Sequence, residues 1–116
     1  MKKHIVIWMI LLFCGAVFAQ DFIAGTEDIP LMENMVIEDN ETISFDTPDG
    51  QILNLTGYTK ASQTQVKTFY NNTLKTLGWV PQKGNTYMRD KDELSLTFTS
   101  TKNGTRVDFQ LTTTNN

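Results

Sequence analysis

The sequence predicts an α+β domain of two layers. One amphipathic helix lies on a roughly five-stranded, mostly antiparallel sheet, in the order β-β-α-β-β-β. Three observations point there. Residues 62–79 place apolar side chains at three- and four-residue spacing. The flanking stretches alternate apolar and polar residues, the mark of a sheet covered on one face. Turn sequences, Thr47-Pro48-Asp49-Gly50 and Asn103-Gly104, separate pairs of those stretches.

The chain opens with an export signal. Lys2 and Lys3 precede a continuous apolar run, Ile5 to Phe13, too short to span a bilayer comfortably. Val17-Phe18-Ala19 ends on a small residue, which places cleavage after Ala19 and makes Gln20 the new terminus. Lipid anchoring at Cys14 is not expected, because Phe13 fills the position where a lipoprotein signal wants a small residue. The expected bounds are 1–19 signal peptide, 20–38 irregular lead-in, 39–113 α+β domain and 114–116 frayed tail.

Cleavage changes the inventory. Of 116 residues 97 remain, enough for one modest core. Loss of Lys2 and Lys3 leaves 8 basic residues against 13 acidic ones, a net charge of −5 in place of −3. An acidic domain lacks the basic footprint that nucleic-acid binding needs. His4 and Cys14 are the only His and Cys, and both leave with the signal. Ser-His-Asp and Cys-His catalysis are thereby excluded. The usual ligands of zinc, copper and haem are gone, no disulfide can form, and no cofactor is expected.

In the lead-in, Pro30 argues against a central strand, and Leu31, Met32 and Met35 are expected to tuck into one edge of the core. Glu38-Asp39-Asn40-Glu41 reads as an acidic turn, without the twelve-residue pattern of a calcium loop. In the first hairpin a three-residue Pro48-Asp49-Gly50 loop pairs Thr47 with Gln51, Phe45 with Leu53 and Ile43 with Leu55. Both apolar pairs then share the core face.

The helix starts at Ser62, which forms a capping box with Gln65. It buries Val66, Phe69, Tyr70, Leu74 and Leu77, and stops at Gly78. Trp79 closes over Leu74, and residues 80–85 are a connection. A strand near Thr86 to Arg89 follows, with Tyr87 opposite Leu96 or Met88 opposite Leu94. In the second hairpin an Asn103-Gly104 loop pairs Lys102 with Thr105, Phe98 with Phe109 and Leu96 with Leu111. The uncovered face is expected to carry Ser44, Asn54, Thr56, Ser95, Thr97, Thr99, Arg106, Asp108, Gln110 and Thr112. The chain from Thr112 onward is expected to fray.

Phe69-Tyr70, then Leu74, then Leu77-Gly78-Trp79, resembles the FY…L…LGW helix of small exported bacterial proteins of unassigned function. In that group the helix lies between a hairpin and a three-stranded meander. Ile29-Pro30-Leu31-Met32 and Phe45-Asp46-Thr47-Pro48 also look like the group, so the likeness runs from about Asp28 to Leu111. It implies a bacterial envelope setting and brings no catalytic residues.

Asp90, Asp92 and Glu93 read as a solvated hairpin tip rather than a carboxylate pair across a cleft. Arg106 and Asp108 share a face of the last strand and read as a surface ion pair or a contact point for a ligand. Trp79 and Tyr70 read as packing residues, or as a stacking platform for a sugar or peptide. The functional expectation is an exported, periplasmic or secreted, non-enzymatic module. It would bind an envelope protein through the polar sheet face or an open edge, and no membrane span remains after cleavage. The alternative is a small-molecule or glycan binder using Trp79, Tyr70 and the Met32/Met35 edge.

Overall fold

The computed structural model describes residues 21–23, 26 and 28–114; the expected signal, its cleavage point at Ala19, and Cys14 lie outside the described residues. The elements are β1 (Val36–Ile37), β2 (Ile43–Thr47), β3 (Gly50–Thr59), α1 (Gln63–Thr76), β4 (Val80–Pro81), β5 (Thr86–Arg89), β6 (Asp92–Thr101) and β7 (Gly104–Thr114). A single 3₁₀ turn, Asp39–Glu41, separates β1 from β2. The strands form one sheet in the order β1-β3-β7-β6-β5-β4, with β2 beside β1 on the outer edge of β3. Every pairing is antiparallel. The helix carries the chain from β3 across to β4 at the far edge, and β7 returns to the middle. Among the described residues the architecture is thus one α-helix on an antiparallel sheet, with seven strands rather than five. The two additional strands, β1 and β4, are two residues each.

Local chemistry sets the helix. The Ser62 hydroxyl accepts from the Gln65 backbone N–H at 3.2 Å, and the Gln65 carboxamide accepts from the Ser62 N–H at 2.9 Å. At the other end Gly78 takes φ +94°, a left-handed conformation that costs glycine little. This lets the Gly78 N–H reach the Lys75 carbonyl at 3.1 Å and the Trp79 N–H reach the Leu74 carbonyl at 3.0 Å. The two bonds make a Schellman cap. Val66, Tyr70 and Leu74 are buried on one stripe of the helix, against Leu94, Leu96, Val107 and Phe109 of the sheet. Each such side chain contributes about 1.5–3 kcal/mol of hydrophobic stabilisation.

The lead-in does more than trim an edge. Ile23 and Ile29 are fully buried, Met35 nearly so, while Leu31 and Met32 are only partly covered. The Tyr70 hydroxyl donates to the Pro30 carbonyl at 2.9 Å and the Trp79 indole N–H to the Asp28 carbonyl at 3.2 Å. Arg89 pairs with Asp28, donates to the Leu77 carbonyl at 3.2 Å, and lies 4.5 Å from the Trp79 ring centre. One guanidinium therefore ties the lead-in, the helix C-terminus and β5 together.

The registers differ from those expected, with unequal consequences. The first hairpin closes on two residues, Pro48-Asp49, so Thr47 lies opposite Gly50, Phe45 opposite Ile52 and Ile43 opposite Asn54. A three-residue loop with glycine last needs that glycine left-handed, and Gly50 is not. It is held in the ladder, opposite both Thr47 and Thr114, where an added Cβ would lie 1.7 Å from the Thr113 carbonyl oxygen. This slip of one residue turns Ile43 and Phe45 to the uncovered face and Ser44 to the helix side. The second hairpin slips by two: Thr101 lies opposite Gly104, Phe98 opposite Val107 and Leu96 opposite Phe109. A slip of two keeps every side chain on its expected face. Between β5 and β6, Tyr87 lies opposite Leu94 and Met88 opposite Glu93, a register neither alternative gave. Asp90, at φ +54°, makes the tight two-residue turn there. Thr112 to Thr114 do not fray; they pair with Ile52, Gln51 and Gly50.

Candidate functional site

The helix and the lead-in cover one face of the sheet; the other face lies open. Its centre is polar. The Thr56 hydroxyl donates to Asp108 Oδ1 at 2.9 Å, and Arg106 reaches the same oxygen through Nη2 at 3.2 Å and Nε at 3.3 Å. Arg106 also lies 3.7 Å from Glu41 Oε2, whose other oxygen accepts from the Tyr58 hydroxyl at 3.0 Å. Register explains the gathering: Thr56 stands opposite Asp108, and Tyr58 opposite Arg106, on adjacent β3 and β7. The Asp108 hydrogen bond raises the Arg106 guanidinium above its ordinary value. The Glu41 hydrogen bond, foremost among several causes, raises the Tyr58 phenol. Arg106 and Asp108 thus appear as mutual partners in a network, with their charges already matched. The network is solvent-exposed, so its ion pairs add little stability.

The margin of the same face is apolar. Ile43 is 55 % exposed, Phe45 45 %, and Val36 65 %. With the half-buried Ile52 and the Tyr58 ring they form a strip along β1, β2 and the outer side of β3. Sequence reasoning put Ile43 and Phe45 in the core; the close fit of Gly50 against Thr113, a contact between distant parts of the chain, places them outside.

The edge beside this strip is available as backbone. The Glu38 N–H donates to the Thr56 carbonyl at 2.9 Å, so the even-numbered residues of β3 bond outward. Ile43, Phe45 and Thr47, opposite Asn54, Ile52 and Gly50, are therefore the residues of β2 that bond to β3. The N–H and C=O groups of Ser44 and Asp46 turn the other way, and among the described residues no strand lies beyond them. The opposite edge is blunted. The Gln82 N–H bonds the Thr86 carbonyl at 2.6 Å, which turns Pro81 outward at the position where an N–H would be offered.

The aromatic pair expected to hold a ligand sits elsewhere. Trp79 is 1 % exposed and Tyr70 0 %, both inside the core under the lead-in. Neither presents a ring face to solvent, because the Schellman cap folds Trp79 inward and Tyr70 lies in the buried stripe. Met35 is buried against Gly57, where a Cβ would meet its sulfur at 2.8 Å. Met32 lines a groove of about 980 Å³ with Val36, Tyr58, Lys60 and Ala61, at the end of the sheet where β3 leads to the helix. Asp90, Asp92 and Glu93 stay at the hairpin tip, away from both the groove and the network. Among the described residues no group of three His, Cys, Asp or Glu side chains could hold a metal ion, and no helix is long and apolar enough to cross a membrane. No protein-family model, curated protein or solved structure matches the chain.

Proposed function

We propose that this protein is an exported, non-enzymatic module of the bacterial envelope that binds a protein partner through its open sheet face and the β2 edge. The supporting observation is the pairing of Ile43 and Phe45, both about half exposed, with an edge strand that no other strand covers among the described residues. Apolar side chains beside free backbone groups suit capture of a strand, in which main-chain bonds supply affinity and flanking side chains supply selectivity. The polar network at the centre of the face fixes charge positions beside a concavity of about 280 Å³ that Thr56, Thr97 and Asp108 help to line, smaller than an ordinary ligand pocket. The sequence argument is independent of this one: a domain without imidazole or thiol has few ways to activate a nucleophile.

The test is cross-linking and recovery from envelope extract with tagged protein and with Phe45→Lys. A partner enriched by the parent and lost with F45K supports the reading. No enrichment after gentle cross-linking, or equal recovery with both, overturns it. A second reading, a small-molecule or glycan binder, keeps the Met32 side of its expected site. The groove there lies at the upper end of ordinary ligand-pocket volumes. Ligand-dependent change in Tyr58 and Val36 amide signals, with Ser44 and Asp46 unmoved, would favour that reading.

A further inference from the structure

Going one step beyond the binding-module reading, on which it rests, we infer that the partner presents a basic, extended segment. It adds to β2 as one more antiparallel strand. Two observations carry this. The first is an edge left unmatched among the described residues: Ser44 and Asp46 turn two N–H and two C=O groups away from β3 on a strand with neither Pro nor Lys to blunt it. The far edge, by contrast, carries Pro81 at the outward position. The second is charge. Residues 36–50 hold Glu38, Asp39, Asp46 and Asp49, besides Glu41 that faces Arg106, and no Lys or Arg. A second copy of this chain would bring the same carboxylates against themselves, so self-pairing is disfavoured and a cationic segment is favoured.

The sheet geometry says which residues of that segment do what. Ser44 and Asp46 carry their side chains on the helix side of the sheet and Phe45 on the open side. In an antiparallel pair, residues that exchange backbone bonds also face the same way. The partner residues bonded to Ser44 and Asp46 are therefore those whose side chains meet the Asp46 carboxylate. These are the basic ones. The alternate residues lie beside Ile43 and Phe45 and are apolar.

The experiment uses the protein recovered from the envelope after expression of the full chain. The probe is a fluorescent peptide alternating Lys and Val, read by anisotropy, with backbone amide shifts mapped by NMR. Binding is expected to weaken with added salt and to shift Ser44 and Asp46. N-methylation of the Lys amides is expected to cost about tenfold or more in affinity, and N-methylation of the Val amides much less. Asp46→Lys is expected to weaken binding comparably, with Asp90→Lys as the charge-matched control. Equal loss for both methylated peptides, equal loss for D46K and D90K, or shifts confined to other strands would overturn the strand-addition inference alone. Envelope recovery unaffected by F45K would instead overturn the binding-module reading beneath it.

Discussion

Tyr70 shows how one side chain can hold two segments and set a pH limit. Its hydroxyl satisfies the Pro30 carbonyl and lies 3.5 Å from the Met35 sulfur, while its ring meets Phe109 edge-on at 5.3 Å. Burial pushes the phenol well above its ordinary value, with the backbone of Met32 opposing in part. Burial raises Tyr87 as well. A raised acid is protonated longer in the folded state, so its contribution is intact below the unfolded value of about 10. It is lost as pH rises through the folded value, because the unfolded chain releases the proton first. Denaturant unfolding should therefore show stability falling above about pH 10. Tyr70→Phe should cost about 1–3 kcal/mol near neutrality, since the Pro30 carbonyl loses its donor, and should flatten the alkaline fall. Trp79 gives a second readout at this scale. In a form without Trp8, its emission should be blue and resistant to iodide from the start, as its 1 % exposure requires. A red, quenchable signal would contradict the position assigned to it.

At the scale of elements, Gly78→Ala should cost about 1–2 kcal/mol through its left-handed backbone. Thermal or denaturant unfolding would measure it. The helix was legible in the sequence because its determinants are near neighbours: Ser62 with Gln65, Lys75 with Gly78, and a stripe of apolar residues. The β6–β7 hairpin was legible for its faces, since a two-residue slip preserves them, whereas the two registers open for β5 turned opposite faces to the helix and left its orientation undecided. The first hairpin was not, because its loop length depends on Gly50 fitting against Thr113, a contact between distant parts of the chain. That same contact decides where Ile43 and Phe45 point, so the apolar half of the candidate site was hidden while the Arg106–Asp108 half was visible. Strands β1 and β4 were invisible because two residues carry no periodicity. The register makes a direct contrast: Phe45→Lys should change stability by less than about 1 kcal/mol. Leu96→Ala, inside the core, should cost about 2–5 kcal/mol. Similar costs for the two would mean that Phe45 lies under the helix after all.

For the whole molecule, the reading of residues 1–19 as a signal predicts that protein recovered from the envelope begins at Gln20, which N-terminal sequencing would check. A larger consequence follows from the place of β7. It lies between β3 and β6, in the middle of the sheet, although it is the last strand described. Its long pairing with β3 spans Gly50 to Thr59 on one side and Thr105 to Thr114 on the other. Until β7 arrives, two half-sheets have no common centre and no continuous surface for the helix. Closure of this sheet therefore waits on residues 104–114, and a chain stopped at Thr101 would hold only two unjoined ladders that proteases can enter.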